Sequence, residues 1–316
     1  MSKRTELLCT AASLDELERL IAAGADAFVI GETRYGMRLA GEFSEAQIAA
    51  AVAMAKPRGV RIYVSINNLI ENERLPELPG YIDTLAAAGV DAIVFGDPAV
   101  LMTVRASHPE LGLHWNAEMT STNYATANFW GRRGATRFVV ARELNMDQIV
   151  EMKQHTELQV EVQVHGMTNI YHSKRYLLQS YADHNRTTKP ADLPPGQLVT
   201  GKDQGLFLME AERPEERFPI FEDSNGTHVM SSDDICMLEN LHELLEAGID
   251  SLKIDGFMKS TIYNETVVRA YRQAIDAYYA DPAGYQFDEA ALEPIQALQD
   301  PDRELSFGFF YKEQVY

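Results

Sequence analysis

The sequence predicts an α/β fold, a closed (β/α)8 barrel of the TIM type with a long insertion after its seventh strand and a C-terminal tail. Three observations predict it. A helix–glycine–strand unit recurs four times, four further strand-like runs interleave with those copies, and one interval between copies is too long for a single strand–helix step.

The repeat reads Ala23-Gly24-Ala25-Asp26 then AFVIG, Ala88-Gly89-Val90-Asp91 then AIVFG, Arg133-Gly134-Ala135-Thr136 then RFVVA, and Ala247-Gly248-Ile249-Asp250 then SLKID. Copies one, two and four follow stretches with apolar residues at helical spacing, LDELERLIAA, LPGYIDTLAA and DICMLENLHELLE. Glycine fits the left-handed position just past a helix end, and the short apolar run after it suits a strand buried on both faces. The interleaved runs are ELLCTA, RIYVSI, LHWNA and VEVQVHG. Together they give eight strands at 5–10, 27–31, 61–66, 91–96, 113–117, 137–141, 160–166 and 251–255. An open doubly wound sheet is the alternative, but it calls for a glycine-rich phosphate loop, and the chain has neither GxGxxG nor GxxxxGK[ST].

The overlong interval lies between Gly134 and Gly248, and its excess falls at about 167–230, before a helix expected to begin near Ser232. Pro190, Pro194, Pro195, Gly196 and Gly201 break it, and GLFLMEA, RFPIFED and THVMSS read as short strands. The expectation is a loop plus a small antiparallel unit, serving the functional face at the C-terminal ends of the strands. The organisation is thus a barrel over 1–282, including the insertion 167–230, and a tail over 283–316. The tail's Phe307, Phe309, Phe310 and Tyr311 are expected to dock rather than fray.

The 316 residues are 46% apolar, enough for one large core, and no run approaches a membrane helix. Glu6, Asp15, Glu16 and Glu18 argue against a signal peptide, so the chain is read as cytoplasmic. Two cysteines, Cys9 and Cys236, both in apolar segments, exclude a disulfide framework and a four-cysteine metal site. A net charge of −19 argues against wrapping nucleic acid unaided. One stretch differs: Lys174, Arg175, Arg186 and Lys189 are opposed only by Asp183. It reads either as a solvated loop or as a contact surface.

The strand ends offer Glu32, Asn67, Asn68, Asp97, Glu118, Arg142, Glu143, His165, Lys253 and Asp255 as a polar ring around the mouth. The catalytic candidates are His165, Arg142, Glu143, Asp255 and Lys253; His165 could equally be a hydrogen-bonded strand-end residue. Arg142 and Glu143, being adjacent, are expected to point apart. The substrate-binding candidates are Arg38, Asn67, Glu118 and Lys259. Arg38, Arg142, Lys253 and Lys259 are expected to converge on an anion or carboxylate metabolite. No metal site is expected. There is no GxSxG elbow, no HExxH and no local cysteine-peptidase signature.

Several stretches together resemble the collagenase-like peptidase family, the thirty-second of the class U peptidases. They are Tyr35-Gly36-Met37-Arg38 with Phe43-Ser44; Val139-Val140-Ala141-Arg142-Glu143-Leu144; Val162-Gln163-Val164-His165-Gly166; Phe218-Pro219-Ile220-Phe221-Glu222-Asp223; Ser232-Asp233-Asp234-Ile235-Cys236; and Lys253-Ile254-Asp255-Gly256-Phe257-Met258-Lys259-Ser260. The resemblance implies a role in RNA modification, notably 5-hydroxylation of the tRNA wobble uridine with prephenate as a required metabolite. It also implies an iron–sulfur cluster on four cysteines in many members. Here Asn169 and Tyr176 stand where the first two cysteines are implied, and only Cys236 matches. Asp255-Gly256-Phe257 replaces the usual Glu-Gly-Arg, and Asn116-Ala117-Glu118 the usual Ser-Thr-Gln.

The resemblance therefore implies a shorter, cluster-less paralogue without a cofactor of its own, partner to a longer member that holds the cluster. Tyr171, His172, Lys174, Arg175, Tyr176, Arg186 and Lys189 become the expected contacts to that partner or to tRNA, within a segment, 167–204, expected to be mobile. A peptidase, as the family name suggests, and a small-molecule enzyme using the mouth alone are the alternatives.

Overall fold

The computed structural model describes residues 4–116, 122–188 (backbone alone over 185–188) and 205–313. Glu118, Lys189 and the Arg186 side chain lie outside the described residues. The chain divides into two compact units. The first comprises Met1–Gly166, Ile235–Asp300 and Ser306–Tyr316, and the second Met167–Asp234 with Pro301–Leu305.

The first unit is the barrel. Its parallel strands are β1 (Glu6–Thr10), β2 (Ala27–Ile30), β3 (Arg61–Ile66), β4 (Ala92–Phe95), β5 (Gly112–Asn116), β6 (Arg137–Val139) and β7 (Gln159–Gly166), closed by Ser251–Ile254, which pairs with both β7 and β1. Between them run α1 (Leu14–Ala23), α2 (Glu45–Ala55), α3 (Leu78–Ala88), α4 (Pro98–Ser107), α5 (Tyr124–Gly131) and α6 (Met146–Gln154).

The repeat precedes every second strand, and its chemistry is now visible. Gly24, Gly89, Gly134 and Gly248 all have positive φ, which turns the chain out of each helix. The polar residue two positions later then ties the new strand to its predecessor. Asp26 accepts from the Leu7 amide (2.8 Å), Asp91 from Ile62 (2.8 Å), Thr136 from Leu113 (3.3 Å) and Asp250 from Val160 (2.9 Å). Each caps an amide at the open lower end of the barrel.

That lower end also holds a buried polar layer. Arg137, 1% exposed, donates to Glu6 (2.7 Å), Glu161 (3.1 Å), Ser251 (3.2 Å) and Gln159 (2.9 Å). Glu6 also accepts from the Tyr63 hydroxyl (2.7 Å) and from Arg61. The two carboxylates differ in consequence. Burial raises both, but the cations and donors around Glu6 outweigh it and hold Glu6 below the usual range. Glu161, fully enclosed, stays above it despite Arg137 and Lys253. Above this layer Leu8, Ala27, Tyr63, Ala92 and Val94 fill the lumen.

The second unit contains β8 (Asn169–Ser173), α7 (Leu177–Thr188), β9 (Phe207–Leu208), β10 (Phe218–Asp223) and β11 (Gly226–Met230). Its antiparallel sheet has the order β8-β11-β10-β9. The start of the insertion is thus regular: 169–173 is a strand and 177–188 a helix, not an irregular loop. The Glu222 carboxylate accepts from the Leu178 amide (2.6 Å) and the Gln179 amide (3.3 Å), seating α7 on the sheet. Arg303, 8% exposed, clamps Asp234 (2.8 Å) and the Ser231 carbonyl (3.2 Å).

The helix expected from Ser232 begins later. Asp234–Cys236 is strand β12, antiparallel to β7 through Ile235 and Cys236, and α8 covers only Leu241–Glu246. Met237 and Leu238 are fully buried, so the run from Ile235 to Leu238 is apolar because it is enclosed, not because one helix face is. After the closing strand, β13 (Ser251–Ile254), come α9 (Thr261–Ala280) and α10 (Glu293–Leu298). In the tail Phe310 is buried and its carbonyl accepts from the Met146 amide (2.9 Å), while Phe307, Phe309 and Tyr311 stay exposed.

Candidate functional site

Parallel register decides which strand-end side chains look into the mouth. Leu8 pairs with Lys253 and Gln163 with Lys253, so Lys253 faces the lumen above Glu161. Lys253 and Asp255 form an ion pair (2.9 Å) with 18% and 15% of their side chains exposed. Asp255 also accepts from the Phe257 amide (3.1 Å), and the Thr10 hydroxyl, 3.5 Å away, accepts from the Gly256 amide (2.8 Å). Burial pulls the Lys253 ammonium down, but the facing Asp255 and Glu161 carboxylates outweigh it and hold it above its ordinary value, with Arg38 opposing. At neutral pH Lys253 is therefore a fixed cation. It suits holding an anion and does not suit taking a proton.

Arg38 comes from the loop after β2. Asn67 accepts from the Met37 amide (2.8 Å), and the Asn68 amide donates to the Tyr35 carbonyl (3.0 Å), so the loop after β3 holds it in place. Arg38 has φ +53 and Met258, next to Lys259, φ +59; they are the positive-φ non-glycine residues among those described. Both lie on mouth loops after strands flanking β1, where stored backbone strain commonly accompanies function. Arg38→Gly is expected to be roughly 1 kcal/mol more stable than Arg38→Ala, because only glycine relieves the left-handed backbone. Equal urea midpoints for the two variants would refute the strain.

The other expected members are placed differently. Lys259 lies with its ammonium 5.0 Å from the centre of the Tyr263 ring, outside the first turn of α9. Arg142 pairs with its neighbour Glu143 (3.2 Å), since the turn after β6 lets consecutive side chains meet. Of the four cations, Arg38 opposes the charge of Lys253, Arg142 is paired with Glu143 and Lys259 stands over the Tyr263 ring. Asn67 acts on the backbone, and Asp97 caps α4 through the Ala99 amide (2.8 Å). His165 faces away from the lumen. A register irregularity between Lys253 and Ile254 pairs Ile254 with His165, so His165 joins the outward set. It is 1% exposed, with Nε2 2.9 Å from the Tyr263 hydroxyl and its ring beside Tyr271.

The thiols complete the inventory. Cys9 and Cys236 are free and buried. Burial pushes the Cys9 thiol well up, with Asp26 and Glu16 adding to it, which removes it as a nucleophile. The donor set does not fit a four-thiolate cluster. Asn169 turns its amide nitrogen to the Tyr171 (2.9 Å) and Val229 (3.2 Å) carbonyls, and Tyr176 points to solvent. Among the described residues no helix is long and apolar enough to cross a membrane.

Sequence reasoning missed the layer around Arg137. The available signal was a charged residue at the first position of several otherwise apolar strands, Glu6, Arg61 and Arg137.

Comparison with known proteins bears on the family and the fold. The model of peptidase family U32 matches residues 12–315. The chain is 48% identical over 315 residues to tRNA hydroxylation protein P2 of Bacillus subtilis, covering 99% of this chain and 100% of that protein. It is 32% identical to tRNA hydroxylation protein P1 of the same organism, covering all of this chain and 74% of that one. A solved U32 peptidase superposes with a TM-score of 0.50 at 17% identity, covering 81% of this chain and 94% of the other, which bears on the fold alone.

Proposed function

The chain belongs to peptidase family U32, and on that footing we propose that it acts in tRNA hydroxylation as a subunit without a redox centre of its own. The observation that carries this reading is the full-length likeness to tRNA hydroxylation protein P2. The reaction proposed is 5-hydroxylation of the wobble uridine in the cytoplasm, with a longer family member as partner and any iron–sulfur cluster in that partner. Asn169, Tyr176 and the two buried thiols support assigning the cluster elsewhere. Within the mouth, Lys253 and Arg38 supply fixed positive charge for a carboxylate such as that of prephenate, and Asp255 sets the position of Lys253. A peptidase reading finds no support in the thiols, and His165 is turned away from the lumen.

Mass spectrometry of bulk tRNA nucleosides from a strain lacking this gene tests the reading. Hydroxyuridine-derived nucleosides are expected to fall several-fold and to return with the wild-type gene but not with Lys253→Ala. Levels unchanged by the deletion, alone and together with loss of the longer paralogue, would overturn it.

A further inference from the structure

The second unit carries a face that the barrel mouth does not explain. Tyr171 is 50% exposed, Tyr176 46% and Tyr181 66%. Tyr171 sits on β8, an edge strand with one neighbour, and Tyr176 and Tyr181 flank the start of α7. Lys174 and Arg175, both exposed, occupy the turn between them. The base beneath is firm. Buried Thr227 donates to the Arg175 carbonyl (2.7 Å) and accepts from the Leu177 amide (2.9 Å), and buried Glu222 holds the next two amides.

Several surface arginines in this acidic chain are tied to carboxylates, although exposed Arg105, Arg132 and Arg133 are not. Arg19 and Arg269 bind Glu265, Arg58 binds Glu18, Arg213 binds Glu210, and Arg217 binds Asp302. Arg175 has no carboxylate within ion-pair distance among the described residues. In a protein of net charge −19, an unneutralised guanidinium adjoining Tyr176 in the chain, between exposed Tyr171 and Tyr181, stands against the sign of the whole.

We propose that this face binds an unpaired loop of RNA, the tyrosine rings stacking on splayed bases and Lys174 and Arg175 lying along the phosphates. Aromatic platforms interleaved with cations are what single-stranded nucleic acid recognition uses, and a duplex, with its bases already stacked, cannot use the rings. The inference rests on the tRNA reading above and names the surface through which that substrate is held.

The test uses the full-length chain, a synthetic anticodon stem-loop RNA and a blunt duplex of the same stem, with dissociation constants measured over a potassium chloride series. The wild type is expected to prefer the stem-loop. Tyr176→Ala and Tyr181→Ala should each raise the dissociation constant roughly 5- to 100-fold, Tyr181→Phe should leave it unchanged, and Arg175→Gln should reduce the salt slope by about 1. Thermal unfolding should stay as in the wild type. Wild-type protein that binds loop and duplex alike, or neither, overturns the proposal. So does wild-type affinity in the tyrosine variants, or loss of association with the longer paralogue in its place, which would make the face a protein interface. If the variants bind normally while the deletion strain still lacks hydroxylated nucleosides, the face is wrong and the tRNA reading stands.

Discussion

Arg137→Ala is expected to cost the barrel about 3–5 kcal/mol, measured by urea unfolding at neutral pH. The guanidinium is 1% exposed and bridges Glu6, Glu161, Gln159 and Ser251. Its removal takes away the cation that bridges the two carboxylates, leaving Glu6 with Arg61 alone and Glu161 with the charge of Lys253 alone. The loss should depend on pH. In the wild type Glu6 is held low, so its contribution is present above the ordinary glutamate value of about 4.3 and fades as pH falls through its lower folded value. Glu161 is raised, so it opposes folding increasingly as pH climbs from that ordinary value through its own. Without Arg137 both move up. The deficit of the variant should therefore shrink from pH 8 to pH 5, as the carboxyls take up protons. Adding Glu6→Gln and Glu161→Gln to the variant should recover much of the loss. A deficit under 1 kcal/mol, or one that grows in acid, would show that the layer is not electrostatically coupled.

Gly166→Ala should be nearly as damaging, at roughly 3 kcal/mol or more. Gly166 has φ +98, and a Cβ there would stand 2.1 Å from the Asp255 carbonyl oxygen, an atom of the backbone that cannot step aside. Gly248→Ala is the matched control. It has φ +72 with nothing within 4 Å, so it carries the conformational penalty alone, about 1–2 kcal/mol. The difference between the two isolates the collision. It also reports on the site, because the Asp255 amide donates to the His165 carbonyl (3.0 Å) and any retreat of that segment disturbs the Lys253–Asp255 pair. Equal melting temperatures for the two variants would mean that the strands part freely at this point.

Much of the barrel was legible because its signals are local. Gly24, Gly89, Gly134 and Gly248 mark helix ends, and short apolar runs follow them. The site was legible only in part, because its geometry is set by long-range pairing. Alternation along β7 places His165 inward, yet one register irregularity against β13 turns it out, and no local pattern announces that. Arg38 sits near Lys253 through an arginine in the left-handed region, where no residue type marks the turn. Glu6 and Arg137 read as solvent-facing strand starts, and only closure of the barrel shows that they meet across 131 positions. Likewise Ile235, Cys236, Met237 and Leu238 suit a helix face or an enclosed strand equally, and the pairing with β7 decides between them.

The clamp made by Arg303 bears on how the chain is synthesised. Asp234, buried and charged, leaves the ribosome 69 residues before the arginine that neutralises it. At about 5–20 residues per second, that is a delay of roughly 3–14 s. The barrel waits too, since Glu6 on its first strand meets Ser251 only 245 positions later. Neither unit can seal before those later residues have been made. The nascent protein therefore presents an unpaired β1 edge until Ser251–Ile254 has been made, and an uncompensated Asp234 carboxylate until Arg303 has been made.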